Sequence, residues 1–411
     1  MSPLDDFSSI PADRAYDARR LGIGARLLLR LLRNVRYGRL TIVSPSGGAI
    51  EKIGLQPGPE ATIIIRRWRM LARLVLAGDI GFAESYMDED WTTPDLREVI
   101  RFAARNSEAL TPVVEGSVPM RFFNRIKHLL NANTKRGSRR NIEAHYDLGN
   151  DFYKEWLDAS MLYSSGIFDP AGGDTLETAQ QRKLDRIRQK LALNGGEHIL
   201  EIGCGWGSLA IDLASRADAR MTGVTLSPSQ LVWAREMAMA AGRSEQVDLR
   251  LQDYRDIEGQ FDRIVSVEMF EAVGRTYWQT YFAALKRCLK PGGRAVLQII
   301  SIEDKRFASY RDGTDFIQQY IFPGGFLPSV SALEAAVSQA GLALTDKEHF
   351  GKSYALTLGE WRARFHARWH AIAALGFDER FRRLWHYYLC YCEAGFEEGS
   401  IDVGLYTIEH R

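Results

Sequence analysis

Apolar residues fall into two patterns along this chain, and the change comes near residue 140. Beyond it, short unbroken apolar runs at 197–202, 220–225, 247–251, 262–267 and 294–301 alternate with stretches of helical spacing such as Ser227–Ala241 and Tyr277–Lys290. Unbroken runs suit strands buried on both faces, and the stretches between them suit the helices that cover those faces. The alternation predicts an α/β fold, a doubly wound parallel sheet with its ligand at the carboxyl ends of the strands. Pro291-Gly292-Gly293 ends one helix and turns the chain into the next strand. The aromatic-rich stretch Ser301–Pro328, containing Tyr320-Ile321-Phe322-Pro323, reads as a lid-like insertion over the substrate, and Val403–Ile408 is the last strand candidate.

Before residue 140 the pattern is mixed. Residues 1–20 are polar and read as loose chain. From Leu21 to Leu40, arginines at 26, 30, 33, 36 and 39 interleave with leucines at helical spacing. Such an amphipathic basic helix can lie on a lipid surface, or pack on its own domain with arginines facing water. Alternating segments at Arg39–Val43 and Ala61–Arg67 predict strands, and Leu71–Asn106 reads as mostly helical. The polar stretch Asn131–Ser138 reads as a linker. It divides the chain into a smaller α+β accessory domain, 1–137, and a larger domain, 138–411.

Charge sharpens that division. Residues 1–140 hold 23 Lys/Arg against 15 Asp/Glu, and the remainder 30 against 37, although the whole chain is nearly neutral at +1. A basic N-terminal portion suits an anionic surface, either a nucleic acid or the face of a bilayer. No window approaches 18 consecutive apolar residues, so no membrane span is expected, and the acidic start (Asp5, Asp6) predicts no signal peptide. Cys204, Cys288, Cys390 and Cys392 lack paired metal spacing and are read as free thiols in a reducing cytoplasm.

The chemistry centres on Glu201-Ile202-Gly203-Cys204-Gly205-Trp206-Gly207, which follows the first apolar run. Small residues in a strand-to-helix turn let backbone approach a ligand and leave amides free to bind it. G-x-G-x-G after an acidic residue is the S-adenosylmethionine loop of class I methyltransferases, whereas dinucleotide folds use G-x-G-x-x-G. Glu201 can bind the cationic methionine end or the ribose hydroxyls. After the second strand the chain offers Thr225 and Gln230 for the ribose, where an acid is usual. After the third, Gln252, Asp253 and Tyr254 can receive adenine, the acid accepting from the amino group and the ring flanking the base.

These motifs resemble the cyclopropane fatty acid synthase family, which includes the mycolic acid cyclopropane synthases. The resemblance covers about residues 140–410 through His145-Tyr146-Asp147-Leu148-Gly149-Asn150-Asp151-Phe152-Tyr153, Tyr163-Ser164-Ser165, Glu201–Gly207, Gly223–Gln230, Gln252–Asp256, Phe261–Glu271 and Tyr320–Pro323. It implies a Rossmann-like class I methyltransferase domain with S-adenosylmethionine as cofactor, and extends the cofactor set to Tyr163 and Ser164. It also implies a reaction: the cis double bond of a phospholipid acyl chain attacks the sulfonium methyl, leaving a carbocation. In cyclopropane synthases a bound bicarbonate then removes a proton from the new methyl and the ring closes. Aromatic faces can steady the cation; Tyr146, Phe152, Tyr163, Phe168 and Tyr320 are candidates, each of which can equally be core.

The resemblance places the bicarbonate pocket at Ser165, Glu271, Gln298 and Tyr354, with a backbone contact at Ile300. This chain departs from the family there, with serine for cysteine at 165, glutamine for histidine at 298, and Ala272 for the histidine after the glutamate. Ser165 and Gln298 still offer hydrogen bonds to an oxyanion, but Gln298 carries no positive charge and relays no proton. Either the substitutions are neutral, with hydrogen bonding preserved and a cyclopropane fatty acid as the default product, or the anion is held differently or is absent. The cation can lose a chain proton instead, giving a methyl-branched or methylene olefin in place of a cyclopropane. The expected partner is a bilayer of unsaturated phospholipids, met peripherally from the cytoplasmic side. Nucleic acid is not expected, because no RNA module or aromatic-interleaved basic groove is present. A homodimer is left open. A non-catalytic relative that binds cofactor and lipid is the remaining alternative, opposed by Glu271, Tyr354 and the intact glycine loop.

Overall fold

The computed structural model describes residues 23–114, 137 and 148–411. The expectations for residues 1–20, the stretch Arg121–Arg140 (Gly137 apart), the linker and His145-Tyr146-Asp147 lie outside them. The chain forms two compact units, one of Met1–Ile126, Gly313–Phe316 and Phe377–Glu398, the other of Lys127–Asp312, Ile317–Gly376 and Gly399–Arg411.

The larger unit carries a seven-stranded sheet. In chain order its strands are β5 (His198–Ile202), β6 (Arg220–Thr225), β7 (Val247–Leu251), β8 (Phe261–Val267), β9 (Leu289–Ile302), β10 (Leu342–His349) and β11 (Ile401–His410). Across the sheet the order is β10-β11-β9-β8-β5-β6-β7. Strands β5 to β9 pair in parallel, while β11 runs antiparallel between β9 and β10. The chain winds outward from β5 to β6 and β7, then returns to β5's other edge as β8. The switch point therefore lies between β5 and β8, where a crevice opens at the carboxyl ends.

The apolar runs sit where their composition requires. Ile199, Leu200, Ile264, Val265, Ala295, Val296 and Leu297 are fully buried, and helices such as Leu176–Leu191 and Trp278–Cys288 pack against the faces. Strand β10 was not anticipated: its polar Thr-Asp-Lys-Glu centre belongs to an edge strand half in solvent. The helix expected to run to Lys290 ends at Cys288, and β9 begins at Leu289, with a register irregularity before Arg294. The expected insertion, 301–328, contains the helix Asp304–Asp312.

The smaller unit is α+β. Its sheet, ordered β2-β1-β3-β4, comprises β1 (Tyr37–Val43), β2 (Ala49–Ile53), β3 (Gln56–Ile65) and β4 (Trp91–Thr92). The stretch 71–106 is not one helical run: helix Arg69–Met87 kinks at Gly78, β4 intervenes, and a second helix spans Leu96–Arg105. The unit also takes the helix Glu379–Glu397 from far along the chain, within the stretch 138–411 expected to form the larger domain. Arg97 and Arg101 bond Glu397 and Glu398 at 3.1 and 2.9 Å, and buried Arg383 donates to the carbonyls of Tyr86 and Trp91. Such long-range ion pairs leave no local periodicity to read.

Among the described residues of the basic segment 21–40 the helix spans Ile23–Leu31; Arg36 and Arg39 lie beyond it, Arg39 in β1. Ala25, Leu28, Leu32 and Val35 are buried, whereas Arg26, Arg30, Arg33, Arg36 and Arg39 are all exposed. Among the described residues no helix is long and apolar enough to cross a membrane, no disulfide forms and no metal-binding cluster occurs.

Candidate functional site

At the end of β5, Gly203, Gly205 and Gly207 adopt φ of +87°, +51° and +86°, a conformation costly for any residue with a Cβ. A Cβ on Gly203 would stand 2.7 Å from Met269 Cγ, and one on Gly207 2.9 Å from Ala234 Cβ. The space above Gly205 is open, its nearest neighbour being Gln230 Nε2 at 3.9 Å. Contrary to expectation, several loop amides are already engaged: Gly203 and Cys204 donate to the Val224 carbonyl, and Gly207 to that of Cys204. A turn this tight satisfies its own backbone. The Cys204 thiol is buried beside Gly223, and burial pushes its pKa up, so it is inert packing.

Glu201 is buried, and burial raises its carboxyl to about 8; its Oε2 has no hydrogen-bond partner. A buried, unpartnered acceptor beside an open glycine turn fits the cationic methionine end of S-adenosylmethionine. Thr225, the last residue of β6, donates to Gln230 Oε1 at 3.2 Å, and Ser227 caps the helix that carries Gln230. Beyond β7, Gln252 donates to the Asp256 carbonyl. Asp253 caps the turn Tyr254–Asp256 and is paired with Arg255 at 2.7 Å. The Tyr254 ring packs edge-on against Tyr281. These groups lie at the carboxyl ends of neighbouring strands and can hold the cofactor's methionine, ribose and adenine in turn.

The residues expected around an anion do converge, but on the chain's own carboxylate. Glu268 follows β8, and its Oε1 accepts from the Ser165 N–H at 2.9 Å and from Gln298 Nε2 at 2.7 Å. Its Oε2 accepts from Tyr354 Oη at 2.5 Å. Ser165 thus contributes its backbone amide, while its hydroxyl turns to the Gly166 carbonyl. Glu271 stands slightly apart, its Oε1 accepting from the Ile300 N–H at 2.5 Å and its Oε2 without a partner. Burial and repulsion from Glu268 raise the Glu271 carboxyl to about 8, so it is largely neutral at pH 7. Burial also raises Glu268, but the Tyr354, Ser165 and Gln298 hydrogen bonds and the Lys183 charge oppose it. Lys183 is fully buried and donates to Ser164 Oγ at 2.6 Å; burial lowers it to about 8 against the pull of Glu268, Asp158 and Glu201.

Bicarbonate does not fit this arrangement. The amide, carboxamide and phenol that would hold it are engaged by Glu268, and two carboxyl groups would face the added anion. Glu268 has no place in the expected Met-Phe-Glu motif, Met269–Glu271, which it directly precedes, and in the sequence it reads simply as the end of a strand. One signal exists in the geometry: its φ is +49°, a left-handed backbone for a non-glycine residue. That conformation costs about 1 kcal/mol, and Glu268 shares it with Glu89, Met161, Ala192 and Asp218.

The two features adjoin. Ser266 Oγ donates to the Ile202 carbonyl at 2.8 Å, and Met269 lies against Gly203. The Trp206 indole donates to Asn150 at 2.8 Å, tying the glycine loop to the Gly149–Tyr153 motif. Around Tyr163 gather Tyr153, Trp156 and Trp361, with ring centroids 5.3–5.4 Å away, and Phe322 at 6.5 Å. Trp361 in turn meets Tyr354 at 6.1 Å. Of the other aromatic candidates, Phe152 is fully buried core, Phe168 and Tyr320 are half-buried, and Tyr146 lies outside the described residues.

Comparison with known proteins agrees with this geometry. The family described as Mycolic acid cyclopropane synthetase matches residues 133–405. The chain is 40% identical over 367 residues to a tuberculostearic acid methyltransferase, UfaA1, of Mycobacterium tuberculosis, covering 84% of this chain and 83% of that protein. It is 38% identical over 357 residues to the cyclopropane-fatty-acyl-phospholipid synthase of Escherichia coli, covering 85% and 88%. Among solved structures, the mycolic acid cyclopropane synthase CmaA1 complexed with SAH and CTAB is 30% identical with a TM-score of 0.61, covering 66% of this chain and 97% of that one. With its family, its methyltransferase sheet and its glycine loop agreeing, the chain belongs to the mycolic acid cyclopropane synthetase family and is an S-adenosylmethionine-dependent methyltransferase.

Proposed function

We propose that this enzyme methylates a double-bond carbon of an unsaturated acyl chain carried by a phospholipid. The observation that carries the reading is the half-buried carboxyl centre beside the glycine loop, Glu268 with Glu271, walled by Tyr163, Trp361 and Tyr354. When bound, S-adenosylmethionine supplies an electrophilic methyl. The protein must keep water from the resulting cation, steady it and accept one proton. Aromatic faces serve the second need without acting as nucleophiles, and a half-buried carboxylate serves the third. No nucleophilic side chain is required, which agrees with the inert Cys204.

Ring closure to a cyclopropane is one end product, as the name of the E. coli relative implies for that protein. A methyl-branched or methylene olefin is the second, favoured by one observation: the pocket holds a tethered carboxylate where the cyclopropane reading needs a small diffusible anion. The exposed arginines at 26, 30, 33, 36 and 39 support a bilayer as the surface from which the chain is drawn.

The test is the fatty acid profile of a bacterium lacking such enzymes, with and without this gene expressed. A species one methylene heavier supports the reading, and its absence contradicts it. Mild hydrogenation separates the products, because only an olefin takes up hydrogen. Reversing Arg26, Arg30 and Arg33 to glutamate is expected to weaken binding to anionic vesicles at least tenfold, at about 1 kcal/mol per charge. Unchanged binding in a vesicle flotation assay would remove the bilayer from the account.

A further inference from the structure

We infer that Glu268 is the base of this reaction, a carboxylate built into the chain that removes the proton after methyl transfer and makes the enzyme independent of bicarbonate. The inference rests on the proposed acyl methylation and names the group that completes it.

Three donors from three separate segments meet on this one side chain: an amide from the loop before helix Leu176–Leu191, a carboxamide from β9 and a phenol from helix Gly351–Ala367. Such a cradle is an oxyanion site, and the anion in it is covalently part of the protein. The backbone that delivers it is left-handed at a position where glycine would sit without strain. The replaced residues agree. Gln298 gives Glu268 a neutral donor, whereas a histidine there would compete for the transferred proton. Three donors meet Glu268 whereas Glu271 has one and an unpartnered Oε2, so Glu268 is the better-supported anion and the base of the pair.

The step balances. The π pair of the double bond forms the new C–C bond as the S–CH3 bond breaks, and a cation remains on the chain. Glu268 takes one proton: if it comes from the new methyl, the electron pair of the broken C–H bond closes the ring as a C–C bond to the cationic carbon, and if it comes from a chain carbon next to the cation, that pair becomes a C=C bond. The carboxylate becomes a carboxylic acid and returns the proton to solvent after product leaves.

The experiment measures S-adenosylhomocysteine release by the full-length protein on dioleoyl phosphatidylglycerol vesicles, in buffer stripped of carbon dioxide and again with added bicarbonate. The wild type is expected to turn over equally in both. Glu268→Gln, nearly isosteric and able to keep the fold, is expected to lose at least 100-fold while binding S-adenosylmethionine as the wild type does. Stimulation of the wild type by bicarbonate, or a Glu268→Gln variant at wild-type rate, overturns the inference and leaves acyl methylation standing. No release by the wild type on any unsaturated phospholipid overturns both.

Discussion

Gly203 and Glu268 occupy equivalent places on neighbouring strands, the first residue after β5 and the first after β8, and both have left-handed backbones, φ +87° and +49°. At the first the chain uses glycine, and the turn costs nothing in side-chain strain. At the second it uses glutamate and accepts the strain. The difference teaches where function overrides economy: the cofactor turn needs only space, whereas the position beside it needs a carboxylate. Neighbouring backbone conformations can therefore be read as chemistry when one of them is filled by the wrong kind of residue.

The largest effect is expected from Gly203→Ala. Its Cβ would meet Met269 Cγ at 2.7 Å and carry a positive φ, so the loop and the Glu268 turn must shift together. A loss of about 2–4 kcal/mol in folding stability is expected by thermal denaturation, with cofactor affinity down at least tenfold by calorimetry. Wild-type affinity would break the link between the two turns.

Next is Tyr354→Phe, which removes the donor on Glu268 Oε2. That hydrogen bond favours the ionised form, so its loss raises the Glu268 pKa further. Because the carboxylate is the active form, turnover falls as pH drops through that pKa. The acid limb of the pH–rate profile is expected about one to two pH units higher in the variant. An unmoved limb would mean that another group titrates.

Lys183→Met should act more gently on the same limb, again moving it upward, because the lysine charge favours both ionised glutamates. It also carries a stability signature. The folded-state value near 8 lies below the ordinary lysine value near 10.4, so between them the unfolded chain binds more protons. Wild-type stability should therefore rise with pH across that window, and in the variant this rise should be absent from urea titrations. The smallest effect is expected from Gly205→Ala: its Cβ meets nothing closer than 3.9 Å, so only the positive φ is felt, about 1 kcal/mol in a melting experiment.

Much of the fold was legible because buried parallel strands write unbroken apolar runs. β5, β6, β7 and β8 fall within a residue of where those runs lie. Edge strand β10 and helix Glu379–Glu397 were not legible as parts of their units, since an edge strand is polar and a distant helix pairs through Arg97, Arg101 and Arg383. The cofactor loop announced itself by glycine spacing alone. The acid centre was half legible: Ser165, Gln298, Tyr354, Glu271 and Ile300 were identified as a set, and the structure brings them together. Their common focus, Glu268, has no spacing signature, because three segments far apart in sequence define it only when folded.

The comparison is tested most directly by Glu268→Gly, which makes the second turn like the first. Turnover on dioleoyl phosphatidylglycerol vesicles should be measured without and with added bicarbonate, in protein shown to melt cooperatively and to bind S-adenosylmethionine. The account predicts a folded enzyme at least 100-fold slower, partly restored by bicarbonate that now finds the Ser165, Gln298 and Tyr354 donors vacant. A glycine variant that turns over at wild-type rate without bicarbonate would contradict it.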